Sequence, residues 1–189
     1  METASVLTRH FPWTLQLGTN PVVFRLMTPE DRDGTLEFVN TLPAQDLFYL
    51  MHDIRDPQEM NRLIDGIREH HVTTVLAESR GRLLGYGSLT SGHLPWTRHL
   101  GEVRLLVAPD QRGKGLGTIL AKEVFAVAHD LGLRRIVARL TSKQISARYL
   151  FQHLGFHIEA VLAECVIDNE GHAQDLMIMS YDLTGFHLS

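Results

Sequence analysis

One stretch limits the possible topology more than any other. Glu102 to Val107 has the composition of a strand, Ala108-Pro109-Asp110 closes it, and Arg112-Gly113-Lys114-Gly115-Leu116-Gly117 runs straight into a helix. That helix carries Ile119, Leu120, Val124, Phe125, Val127, Ala128 and Leu131 as its apolar residues and stops at Gly132, after which Arg135 to Leu140 reads as a second strand. If the helix between them is a crossover, the two strands are parallel.

The rest of the chain reads as antiparallel. A strand is expected at Val22 to Met27, followed by a helix with Thr28 as N-cap, Pro29 at its first position and carboxylates in its first turn. Leu36, Phe38 and Val39 supply its buried side, and Pro43 ends it. A second helix starts after Asp56-Pro57 with Met60, Leu63, Ile64 and Ile67 on one face. Val72 to Glu78 and Leu83 to Leu89 flank the turn Ser79-Arg80-Gly81 as a hairpin. Ser91 to Leu100 is a loop, Ala147 to Leu154 a helix ending at Gly155, and Phe156 to Ile167 pairs with Leu176 to Leu183 around Asp168-Asn169-Glu170-Gly171. The expected fold is therefore α/β (α+β): a mixed, mostly antiparallel central sheet with helices on both faces. Residues 1–21, with Phe11, Pro12, Trp13 and Gly18 but no sustained period, read as an arm packed on the domain or on a partner, and 22–189 as a single domain.

Composition excludes some function classes. With 18 Lys and Arg against 22 Asp and Glu the formal charge is -4, so no overall basic field exists to hold a nucleic-acid backbone. No apolar run reaches the length of a membrane span. A single cysteine, Cys165, cannot form an intrachain disulfide, and its neighbours do not mark it as a nucleophile; a reducing cytoplasm is the expected location. His70-His71, His93 with His99, and His52-Asp53 lack the spacing of a zinc site, so no metal is expected.

The glycine-rich turn carries the chemistry. A helix opening directly after such a turn concentrates unpaired backbone N–H groups and the positive end of the helix dipole at one spot, which suits a phosphate or diphosphate. Side chains at Gly115 or Gly117 would hold an anion away from those amides, and Arg112 and Lys114 add positive charge. Neither the Gly-x-x-x-x-Gly-Lys-Ser/Thr loop nor the Gly-x-Gly-x-x-Gly dinucleotide pattern is present.

With Arg112, Gly115 and Gly117 matching an Arg/Gln-x-x-Gly-x-Gly/Ala signature, and Ala147 to Phe156 matching an Ala-x-x-Leu-Tyr-x-x-x-Gly-Phe segment, the chain resembles the GNAT superfamily of acyl-CoA-dependent N-acetyltransferases from about Val22 to Leu183. The resemblance implies a splayed parallel strand pair that takes the pantetheine arm, with backbone groups of Leu106 and Val107 bonding it like an added strand. It assigns acetyl-CoA to Leu105, Leu106, Val107, Arg112, Gly113, Lys114, Gly115, Leu116, Gly117, Thr118, Gln144 and Phe151. It implies Glu102 as general base, directly or through water, for acetyl transfer to a primary amine of a small molecule or protein within a ternary complex. Arg139 stands where some relatives keep a second glutamate, and Phe151 where the family often places a proton-donating tyrosine. These two departures motivate an alternative, an acyl-CoA-binding sensor with little turnover. Trp96, Thr97, Arg98 and His99 are candidates for an acceptor pocket, and the apolar N-terminal arm makes a homodimer reasonable.

Overall fold

The computed structural model describes residues 10–47, 53–92, 94–168 and 170–185. Among the described residues eight strands form one sheet in the order β1-β2-β3-β4-β5-β6-β8-β7. The strands are β1 (Trp13–Leu17), β2 (Asn20–Leu26), β3 (Val72–Ser79), β4 (Arg82–Ser91), β5 (Leu100–Val107), β6 (Arg135–Thr141), β7 (His157–Ile167) and β8 (Ala173–Asp182). Only β5 and β6 pair in parallel; every other neighbouring pair is antiparallel. The crossover between them is α4 (Leu116–Asp130), as the sequence predicts.

Helices cover both faces. α4 and α5 (Ile145–His153) lie on one, where Leu120, Val124, Phe125 and Phe151 share a core with Val103, Ile136, Ala138 and Leu140. α4 sits close to the strands because Gly87 of β4 lacks a side chain: a Cβ there would stand 2.7 Å from Val124 Cγ2. On the other face α1 (Arg32–Asn40), α2 (Ala44–Leu47) and α3 (Pro57–Arg68) bury Phe38, Val39, Leu47, Met60 and Ile64 against Leu76, Tyr86 and Leu106. Asp56 caps α3 by accepting from the Gln58 amide at 2.9 Å.

The N-terminal segment departs from the expected irregular arm. Trp13–Leu17 is an edge strand in register with β2, Trp13 opposite Phe24 and Leu17 opposite Asn20. Its Trp-Thr-Leu-Gln-Leu alternation is only five residues long, and long-range contacts hold it: the Trp13 and Phe24 rings stack at 4.6 Å, and Trp13 Nε1 donates to Glu123 Oε2 at 3.1 Å. Glu123 is 2% exposed, so this strand supplies a hydrogen bond to a buried carboxylate of α4. Residues 1–9 lie outside the described residues.

Thr28 opens a single 3-10 turn (Pro29–Asp31) that leads into α1, and Asp31 closes a capping box on it. Asp31 also takes a two-pronged bond from Arg25, both contacts at 2.7 Å. The Arg25 guanidinium, helped by the Thr28 amide, holds the Asp31 carboxyl below the usual carboxylate range. A lowered folded-state value stabilises the protein above the ordinary carboxylate value of about 4, and the contribution is lost as pH falls through the folded value. Asp31→Asn is therefore expected to lower the melting temperature at pH 7, with the difference from wild type closing below about pH 4. A constant difference from pH 7 to pH 3 would count against this electrostatic role.

Candidate active site

The parallel pair is short. Leu100, Gly101 and Glu102 face Arg135, Ile136 and Val137, and beyond Glu102 and Val137 the strands part while continuing to Val107 and Thr141. The result is a V-shaped gap with Glu102 at its apex, about 15 Å long at roughly 3.3 Å per residue. The glycine turn and the start of α4 stand at the open end, because the chain passes from Val107 through Pro109–Gln111 to Leu116.

At that end Gly113 and Gly115 hold left-handed backbone, with φ of 71° and 86°. A Cβ on Gly115 would meet no protein atom within 4 Å, so the space over the turn is open. The first intrahelical bond runs from Ile119 N to Gly115 O, which leaves the amides of Leu116, Gly117 and Thr118 without a carbonyl in the helix. Across the gap on β6, Thr141 Oγ1 is buried and has no hydrogen-bond partner. An open cradle at a helix N-terminus beside a gap with an orphaned hydroxyl fits a ligand that has a phosphate head and a polar arm.

Several expected contacts sit differently. Ala108 N bonds Leu84 O, and Leu106 is opposite Tyr86, so by the two-residue alternation Leu106 spends its backbone groups on β4. Leu105 and Val107 are the residues whose backbone faces the gap. Arg112 turns its guanidinium back, with Nη2 on Asp46 Oδ2 at 2.6 Å and Nε on Val107 O at 3.2 Å, so it ties the turn to α2. Lys114 remains exposed at the turn. Gln144 uses its side-chain oxygen to accept from Thr141 N at 2.9 Å, a local cap at the β6 end. Phe151 is 3% exposed and packs on Phe156 with centroids 4.9 Å apart; an apolar ring at that position joins the core instead of the gap. Tyr149, two residues earlier, is exposed.

Glu102 lies on the sheet face of α1 and α3, since the alternate residues Gly101 and Val103 are buried towards α4. Arg104 Nη2 donates to Glu102 Oε1 at 2.9 Å, and Arg139 Nη1 is 3.6 Å from Glu102 Oε2. Four residues along β5 from Glu102, opposite Leu106, is Tyr86 of β4, whose phenol is pushed up by burial and therefore stays protonated. The sequence reading passed over Tyr86; the signal was its place in the alternation of β4.

Trp96, Arg98 and His99 line a cavity of about 530 Å³ with Leu131, Gly132 and Arg134. It lies at the C-terminal end of the 15-residue α4, about 22 Å by helix geometry from the glycine turn. These residues are therefore at the closed end of the V, not at its mouth. At the β7–β8 turn, atoms of Asp168, Glu170 and His172 come within 4.8 Å of one another. Asp168 is already engaged there by Lys143 Nζ at 2.5 Å and by the amides of Glu170 and His172. His52, His93 and Asn169 lie outside the described residues. Among the described residues, no helix is long and apolar enough to cross a membrane.

A mostly antiparallel sheet whose one parallel pair parts towards a glycine-rich helix start is the architecture of an N-acetyltransferase fold. The model of the Acetyltransferase (GNAT) family matches residues 38–156, and the chain belongs to that family. It is 32% identical over 110 residues to the L-amino acid N-acyltransferase MnaT of Escherichia coli K12, a match that spans 58% of this chain and 63% of that protein. It is 31% identical over 118 residues to an L-methionine sulfoximine/L-methionine sulfone acetyltransferase of Pseudomonas aeruginosa, over 61% of this chain and 67% of that one. In fold it is similar to a phosphinothricin acetyltransferase of Sinorhizobium meliloti solved with acetyl-CoA, with a TM-score of 0.75 at 22% identity over 89% of this chain and 93% of that one.

Proposed function

We propose that this protein transfers an acetyl group from acetyl-CoA to a primary amine, directly and within a ternary complex. The observation that carries this is the gap between β5 and β6, with open amides at one end and a carboxylate at the other. Acetyl-CoA supplies the activated acetyl thioester. The amides of Leu116, Gly117 and Thr118, with Lys114, hold the diphosphate, and the backbone of Leu105 and Val107 receives the pantetheine arm.

At the apex Glu102 takes a proton from the incoming ammonium, directly or through water, because only the neutral amine has a lone pair for attack. Direct transfer is favoured over an acyl-cysteine route by the position of Cys165, which is exposed on β7, an edge strand two removed from β6. The amino-acid acceptors in the names of the Escherichia coli and Pseudomonas proteins support a small-molecule amine.

The test is thermal unfolding with and without saturating acetyl-CoA, followed by thiol release over an amine panel. A ligand at about 100 times its dissociation constant stabilises the native state by about 2.7 kcal/mol, a rise of roughly 5 to 10 °C for a chain of this size. An unchanged melting temperature with every acyl-CoA would withdraw the proposal, and a rise without thiol release would favour a sensor.

A further inference from the structure

A second cavity, of about 540 Å³, lies beside α1, with β2, β3 and the start of β4 as its other walls. Among the described residues none from β5, β6 or the glycine turn lines it, so it is separate from the gap. Two adjacent residues of α1 that line it are poor choices for a helix that only has to pack on a sheet. Thr35 is 1% exposed and its Oγ1 has no hydrogen-bond partner, a costly state for a buried hydroxyl. Valine would fill nearly the same space without that cost. Gly34 is the weakest helix former after proline, yet its backbone is helical and a Cβ there would meet nothing within 4 Å. Neither dihedral geometry nor packing calls for glycine; its missing side chain leaves room in the cavity wall. Residues that break local rules without a packing reason mark functional sites.

The charges set the class of ligand. Arg25 is shared by two carboxylates, Asp31 at 2.7 Å and Glu78 at 3.0 Å, and Arg82 is matched by Asp110 at 2.8 Å. Glu37 lines the cavity with no hydrogen bond or ion pair among the described residues. The lining is therefore negative, which repels phosphates and carboxylates and attracts an ammonium. Phe38, Leu76 and Leu83 supply apolar surface. Helix geometry sets Glu37 and Thr35 about 160° apart around α1, with Gly34 and Phe38 between them, so they suit opposite ends of one ligand.

We propose that this cavity is a second binding site, distinct from the acetyl-transfer gap, for a small primary amine with an apolar body and a hydroxyl at its far end. The ammonium donates to Glu37, the body lies on Phe38 and Leu83 in the room that Gly34 leaves, and the hydroxyl pairs with Thr35 Oγ1. An ammonium has three donors and no acceptor, so a free carboxylate is its natural partner. A hydroxyl can both donate and accept, which matches the orphaned threonine whichever way its proton turns. Binding here is non-covalent and independent of acetyl transfer.

The experiment is calorimetry on the full chain, without acyl-CoA, using probes of one skeleton. They are tyramine, phenethylamine without the hydroxyl, tyrosol with a hydroxyl in place of the ammonium, and 4-hydroxyphenylacetate with a carboxylate there. Wild type is expected to bind tyramine saturably, phenethylamine about 5-fold more weakly and tyrosol at least about 10-fold more weakly, the effects of losing a neutral and a charge-assisted hydrogen bond. The carboxylate should not bind. Gly34→Leu, with a better helix former, should keep or raise the melting temperature while abolishing tyramine binding. Thr35→Val should erase the difference between tyramine and phenethylamine, and Glu37→Gln should weaken both by about 10-fold. No saturable tyramine binding to wild type, undiminished binding to a folded Gly34→Leu protein, or a preference for tyramine that survives Thr35→Val would overturn the site. None of these results bears on the acetyl-CoA site, which has its own ligand and its own test.

Discussion

Gly115→Val is expected to abolish the rise in melting temperature that saturating acetyl-CoA gives the wild-type protein. Gly115 has φ +86° and is the residue from which α4 starts. A β-branched residue is strained in that backbone region by about 1–3 kcal/mol, and the turn must deform to relieve it. Its Cβ would also project into the open space through which an anion reaches the amides of Leu116, Gly117 and Thr118. Calorimetry should show acetyl-CoA binding weakened by about 100-fold or more, the equivalent of about two charge-assisted hydrogen bonds. Far-ultraviolet circular dichroism checks that the sheet and α4 persist. Wild-type affinity in a folded Gly115→Val protein would mean that the turn does not hold the diphosphate.

Glu102→Gln is expected to reduce kcat at neutral pH by about 10²- to 10⁴-fold, the range of a lost general base. The acetyl-CoA dissociation constant should stay within about 3-fold, because Glu102 lies at the apex and the glycine turn proposed to hold the diphosphate at the other end of the gap. The substitution keeps the size of the side chain and an acceptor oxygen for Arg104, so the fold is preserved. Pre-steady-state measurement separates the chemical step from release. An unchanged kcat would move the base elsewhere, to water or to the substrate, and an equal loss of cofactor binding would erase the division of labour between apex and turn.

Much of this architecture was legible in the chain because its determinants are local. Pro29 and Pro57 at helix starts, Gly132 at a helix end, the Ser79-Arg80-Gly81 hairpin turn and the apolar period of α4 each act over a few residues. The order of these elements allowed a crossover, and the pairing of β5 with β6 shows that the helix between them is one. The candidate site was legible as neighbours along the chain: Gly113 to Thr118 are contiguous, and Glu102 lies on the strand that leads into them.

Long-range contacts and register lay beyond the linear pattern. Trp13–Leu17 becomes a strand because Phe24 and Glu123 receive Trp13, residues 11 and 110 positions away. Whether Leu105 or Leu106 faces the gap depends on how β4 and β5 align, and a shift of one residue would exchange them. Arg112 reaches Asp46 across 66 positions, and Arg139 meets Glu102 only because β6 lies beside β5 with Val137 opposite Glu102. Most of the elements, their order and the glycine-rich turn are local properties of the chain, set by dihedral preference and hydrophobic period. Tertiary structure alone decided which charges share the apex, because strand register and helix docking bring together residues whose separation along the chain says nothing about their distance.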